Sequence, residues 1–340
     1  MSSTIRSADS ANCARNFLWA TFFVMGISSM AWVPRIPEIK EQLNYGDGAF
    51  GFIILAGAIG SVLGAQISGR AIHLIASRTF MRLTSITMSI GIYTMGSAHG
   101  ASTLVIGLLL TGLSFSALDV AANVQAMAIE KLTKARYMSS FHAMWSIGAF
   151  TVTLVGGIMA RILTPSEHLK SLALIAFICY QFTITWLLPA DLDGHKGEAH
   201  ESTDAKIPLF GKKVITLWAL GIGLMASFIP EAGIYDWSGI LLKEHMNVAK
   251  GATAAAATVY SLGMIVSRFL GDRWFERWGH QKTVQYGGYI AGMSLGASLL
   301  IGIPLSNVNP WLGVSILCIG FAVTGLCMGP FFPAFNLAAM

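Results

Sequence analysis

The chain has 340 residues, 54% hydrophobic and only 11% charged, with a mean hydropathy of +0.63. Soluble domains carry about 25% charged residues, so this composition excludes an ordinary soluble enzyme and reads as a polytopic membrane protein. The net charge of +5 is modest and no basic tract interleaves with aromatics, which argues against a nucleic-acid partner.

Residues 1–16 carry Arg6 and Arg15 and precede a full-length apolar run without a small-residue cleavage site, which predicts a retained first span. Apolar runs long enough to cross a bilayer lie at about 16–34, 49–68, 80–98, 102–129, 141–162, 171–189, 214–241, 252–271, 283–303 and 310–335. That predicts ten spans. The longest polar interruption, 190–213, is acidic and aperiodic, and is expected to be a flexible linker. The expected organisation is a six-helix bundle at 1–189, a cytoplasmic linker at 190–213 and a second bundle at 214–340. With the N-terminus in the cytoplasm, sixteen of the 22 Lys and Arg fall inside, Arg70, Arg268, Arg273 and Arg277 among them. Cys13, Cys179, Cys318 and Cys327 show no metal spacing, so neither a zinc site nor a disulfide framework is expected.

An internal repeat is visible. A shift of 203 pairs Asn44 with Asn247, Gly48 with Gly251, Gly60 with Gly263 and Arg70 with Arg273, while Trp32 and Trp237 lie 205 apart. Parallel repeats of helical halves are a transporter signature. On that scheme Gly112 pairs with Gly320, and Asp119 meets Cys327.

In the fourth run Asp119 stands alone among apolar and small residues, and Asn123 shares its helical face. Glu130, taken as the cytoplasmic surface, is 11 residues on, about 16 Å at the helical rise, so Asp119 falls near mid-bilayer. An ionisable group there costs roughly 2.5–3.5 kcal/mol and is a functional-site hypothesis by default. It is read as a proton-coupling residue, against the alternative of a structural carboxylate. Asn123 suits either a hydroxylated substrate or a helix-to-helix hydrogen bond, and Gln125, pointing elsewhere, is read as structural. Glu231 follows Pro230 in the seventh run, where a weakened turn is expected. Asp236 and Trp237 are placed towards the mouth, with Trp32 as their counterpart. These four are candidates for substrate contact or an outer gate, against belt-anchor and exposed-acid readings. His142 is read as interfacial. No GxSxG, HExxH or P-loop occurs, so no enzyme chemistry, metal or other cofactor is expected.

The loop Gly271–Lys282, with Glu276, Arg277, Gly279 and Lys282 in acidic–Arg–x–Gly–x–x–basic order, resembles the cytoplasmic gating motif of the major facilitator superfamily. The first-half loop Gly69–Arg78 departs from it, with His73, Leu74 and Ala76 at the acidic, Arg and Gly positions. Leu118–Val124, the run from His142 and Glu231–Trp237 are similar to YbjJ-like inner-membrane transporters, and the Asp119/Asn123 pattern resembles fucose permease. The resemblance implies an all-α fold of two six-helix halves, here with ten spans and the last two helices absent. It implies a cytoplasmic gate at Arg70, Arg273, Glu276, Arg277 and Gly279. It also implies a monomer in the bacterial inner membrane moving a small polar metabolite, with a sugar suggested by fucose permease alone, by alternating access coupled to protons. A drug exporter and a non-transporting membrane sensor are the alternatives.

Overall fold

The computed structural model describes residues 2–195 and 212–331, and every regular element among them is helical. In a lipid solvent each backbone N–H and C=O must find its partner within the segment, and a helix does this. The order is α1 (Ser2–Ser29), a 3-10 turn at Val33–Arg35, α2 (Ile36–Leu43), α3 (Asp47–Ile75), α4 (Ser77–Gly96), α5 (Ala101–Thr133), α6 (Met138–Met159) and α7 (Pro165–Thr185). Then come α8 (Lys212–Glu244), α9 (Ala255–Ser306) and α10 (Pro310–Met328). Eight helical stretches among the described residues are long and apolar enough to cross a membrane. The third and seventh expected spans, α4 and α8, fall outside that set; in α4, Arg82 and a row of serines and threonines interrupt the apolar residues. Outward faces are apolar, with Phe52, Leu174, Leu300 and Trp311 exposed, as a bilayer requires and water would not tolerate.

The chain divides into two compact units, Met1–Gly197 and Glu198–Met340. In the first, α3 and α4 pack on α5, while α1 packs on α5, α6 and α7. In the second, α9 carries α10 along its length and α8 lies against α9. Close approach depends on small residues, as expected where lipid removes the hydrophobic drive between helices. Gly60 of α3 faces the Leu109 carbonyl and Leu113 amide of α5, and Gly112 faces the Gly57 carbonyl and Ser61 amide; a Cβ at either site would collide with backbone.

The same contacts recur in the second unit and correct the repeat register. Gly263 faces Ala322 and Leu326 as Gly60 faces Leu109 and Leu113, and Gly325 faces Tyr260 and Met264 as Gly112 faces Gly57 and Ser61. The shift is 203 for α3 and α4 but 213 for α5. Gly112 therefore pairs with Gly325, not Gly320, and Asp119 with position 332, outside the described residues, rather than Cys327. The ten extra residues arise mainly because α9 runs on to Ser306, whereas α4 stops at Gly96. Elsewhere the repeat extends to backbone conformation: Asn44 and Asn247 are both left-handed, at φ 54° and 52°.

Three further expectations change. The two gating "loops" are helical: α3 runs to Ile75 and α9 continues through Gly271–Lys282, each interrupted at a single residue, Ala76 (φ 66°, ψ 153°) and Gly279 (φ 75°, ψ 161°). Pro230 does not break α8, which runs unbroken to Glu244 with Asp236 and Trp237 near its end, so the exposed-loop alternative for Asp236 falls away. The expected linker is not free from its start, because Asp193 is fully buried against the first unit. Residues 196–211 of that linker lie outside the described residues.

Candidate functional site

In the first unit, α5 presents Phe115, Asp119 and Asn123 at successive turns of one face. The Asn123 Nδ2 donates to Asp119 Oδ2 at 3.2 Å. The other end of that amide, Oδ1, is buried and has no hydrogen-bond partner, so it remains an acceptor for a hydroxyl, an amine or water. Across from α5, the Trp145 ring of α6 lies 6.3 Å from the Phe115 ring. His142, one turn earlier on α6, meets the Phe22 ring of α1 at 5.3 Å. The result is a half-buried carboxylate and a one-sided amide beside an aromatic wall. Such a place can take and give a proton while holding a small polar solute.

The second unit carries its own charged cluster within its helices. Glu231 and Tyr235 are one turn apart on α8, and Tyr260, Ser261 and Arg268 belong to α9. The Tyr235 and Ser261 hydroxyls lie 2.9 Å apart, and the Tyr235 and Tyr260 rings meet edge to face at 5.4 Å. The Tyr260 hydroxyl is buried without a hydrogen-bond partner. Glu231 and Arg268 lie within electrostatic reach of each other and of both phenols. Arg268 is the residue that sequence reasoning missed. Counted among the inside charges, it sits 11 residues before the Gly279 break, about 16 Å along the helix. An opposite charge, Glu231, on the preceding apolar run was the available signal.

The remaining candidates fall as follows. Trp32 is buried beside the Val33–Arg35 turn. Asp236 and Trp237 are half-buried in α8. Arg70, Arg273, Glu276 and Arg277 are exposed, and among the described residues none of them forms an ion pair; Arg277 lies over the Trp278 ring at 6.0 Å. Gln125 proves to be a buried tie between α5 and the chain after α7. Among the described residues no group of His, Cys, Asp and Glu is arranged to hold a metal ion.

Residues 18–340 match the Major Facilitator Superfamily profile. Over 306 residues the chain is 26% identical to an uncharacterised MFS-type transporter of Yersinia pestis, covering 86% of this chain and 77% of that one. Membrane protein MosC of Rhizobium meliloti is 24% identical over 88% of this chain and 71% of its own length. Sodium-dependent glucose transporter 1 of Homo sapiens is 27% identical over 41% of this chain and 27% of its own. Among solved structures, the nucleoside transporter NupG superposes with a TM-score of 0.73 at 13% identity, covering 96% of this chain and 80% of that one. A D-xylose–proton symporter gives 0.71 at 14% identity, covering 96% and 85%.

Proposed function

Because the chain belongs to the Major Facilitator Superfamily, we propose that it is a secondary transporter that moves a small polar metabolite by alternating access, coupled to protons at Asp119. Its relatives and its fold are those of membrane transporters, not of enzymes. The observation that carries the reading is the Asp119–Asn123 pair, a carboxylate inside a transmembrane helix with a buried amide acceptor beside it. A carboxylate in a span costs free energy that a purely packing role does not repay. Cycling between its neutral and ionised forms ties charge compensation to the side on which the site is open. Asn123 contributes substrate contact. Glu231 and Arg268 form a charged cluster within the second unit, where Glu231 compensates a half-buried guanidinium. Trp32, Asp236 and Trp237 belong to the outer gate, and Arg70, Arg273, Glu276, Arg277 and Gly279 to the cytoplasmic one. The protein sits in the bacterial inner membrane with its N-terminus in the cytoplasm and works as a monomer of two pseudo-equivalent halves.

Several relatives and fold neighbours are named for sugars or nucleosides, so neutral polyhydroxylated metabolites head the substrate panel. Because one of those names couples its substrate to sodium, the ion is part of the test. Uptake is measured in proteoliposomes with labelled sugars, nucleosides and small acids under an imposed proton or sodium gradient. Accumulation of one compound driven by protons is the expected result. Accumulation driven by sodium alone would overturn the coupling ion. Tight binding of one ligand with no flux would overturn transport in favour of a membrane sensor.

A further inference from the structure

The turn between α3 and α4 consists of one residue, Ala76, at φ 66° and ψ 153°. That region of backbone space is essentially reserved for glycine, and another residue stays there only when its surroundings impose it. Position 279, 203 residues later, has nearly the same conformation and is a glycine. The first unit thus carries an alanine where the turn calls for a glycine.

Chain from beyond α7 meets this turn. Ser77, the residue after the turn, donates its backbone N–H and its Oγ to Asp193 Oδ2 at 2.8 and 2.6 Å. The other carboxylate oxygen accepts from the His195 backbone N–H at 3.0 Å and from His195 Nδ1 at 2.6 Å. Gln125 closes the arrangement from α5. Its Nε2 donates to Ser77 Oγ at 2.8 Å and to the Leu188 carbonyl at 3.0 Å, and its Oε1 accepts from the Leu188 N–H at 3.0 Å. Along α4, Arg78 donates to the Leu187 and Thr185 carbonyls, and Arg82 donates to Thr185 Oγ1 at 3.1 Å. From the α3 side, His73 Nδ1 donates to the His195 carbonyl at 3.3 Å.

We propose that residues 186–195, the stretch that follows α7 near the end of the first unit, form a clasp that sets the α3–α4 turn. Asp193 is its positioning residue and Ala76 its strained element. While Asp193 holds the first turn of α4, Ala76 is kept at positive φ. When the carboxylate lets go, Ala76 relaxes and α4 starts at a new angle from α3. The arrangement makes the turn responsive to the chain that follows α7. The second unit's turn, with Gly279 in place, needs no such hold. The inference does not depend on the substrate or on the coupling ion.

The test is hydrogen exchange on the full-length protein in detergent, read at the segment beginning with Ser77 and, as an internal control, at the segment beginning with His280. Asp193→Ala is expected to speed exchange at Ser77 about tenfold, since it removes charge-assisted bonds to that amide, with the His280 segment unchanged. Ala76→Gly is expected to slow exchange at Ser77 and raise Tm, although alanine-to-glycine changes ordinarily destabilise. The double variant should return to within a few-fold of the native rate. If Asp193→Ala does not fold, Asp193→Asn, which keeps the volume and one acceptor, should shift exchange in the same direction by less. The proposal is overturned if Ala76→Gly speeds exchange or lowers Tm, or if the Asp193 variants loosen both segments equally or neither.

Discussion

Asp193 is a wholly buried carboxylate outside the spans, and its setting has a consequence for pH. Burial pushes its pKa up, but the hydrogen bonds from Ser77 and His195 outweigh that and hold it below the ordinary aspartate range. A carboxylate depressed in the folded state contributes stability that is present above its unfolded value and lost as pH falls through the folded one. Tm should therefore drop below about pH 4, and the drop should be smaller in Asp193→Asn. Equal acid sensitivity in native and variant protein would remove Asp193 from the account. Glu231 and Arg268 give a second prediction at this scale. Removing one partner of a buried pair costs about 3–5 kcal/mol, and both residues here are half-buried, so about 2 kcal/mol is expected for Glu231→Gln or Arg268→Gln. The double variant should be more stable than either single one in thermal unfolding. Of these residues, Asp119 and Glu231 were legible because a lone acid in an apolar run stands out. Arg268 was not, because counting Lys and Arg near span ends treats each as a surface charge. Which face it presents depends on how α9 packs on α8.

Among the helices, the break between α3 and α4 and its counterpart inside α9 are the most specific feature. Gly279 has open space around its Cα, so only its backbone conformation resists a side chain there. Gly279→Ala would reproduce in the second unit the strain found at Ala76 and should cost about 1–3 kcal/mol, read as a lower Tm; an unchanged Tm would contradict the strain assigned to both turns. The corrected register makes a separate prediction. Gly325 and Gly112 face backbone in the same way, so Gly325→Val and Gly112→Val should each lower stability by about 1–3 kcal/mol. A tolerated Gly325→Val would contradict the close backbone approach assigned to that position. The sequence could not separate these registers because helices rich in glycine and alanine align almost equally well at several offsets. Only the contacts of Gly60, Gly112, Gly263 and Gly325 decide. Helix positions were legible from hydropathy, yet the helical continuity of Gly69–Ile75 and Gly271–Lys282 was not. Polar residues at a span end look like loop whether or not the helix continues.

At the scale of the molecule, two units share helix contacts and turn conformations but not their ionisable residues. Asp119 and Asn123 belong to the first, and Glu231 and Arg268 to the second. The repeat was legible because Asn44 and Asn247, and Gly60 and Gly263, occupy positions where backbone geometry restricts the residue type. The clasp at Asp193 was not legible, since an acidic, aperiodic stretch carries no sign of what it will touch. A chemical difference laid over a shared frame is what a transporter requires if its two halves move alike while a proton acts at one of them. The most direct measurement is proton-driven uptake of the substrate found by the panel, with native protein and Asp119→Asn side by side in proteoliposomes. The account predicts that the variant loses accumulation under an inward proton gradient yet still exchanges labelled for unlabelled substrate. Accumulation by Asp119→Asn equal to that of the native protein would contradict it.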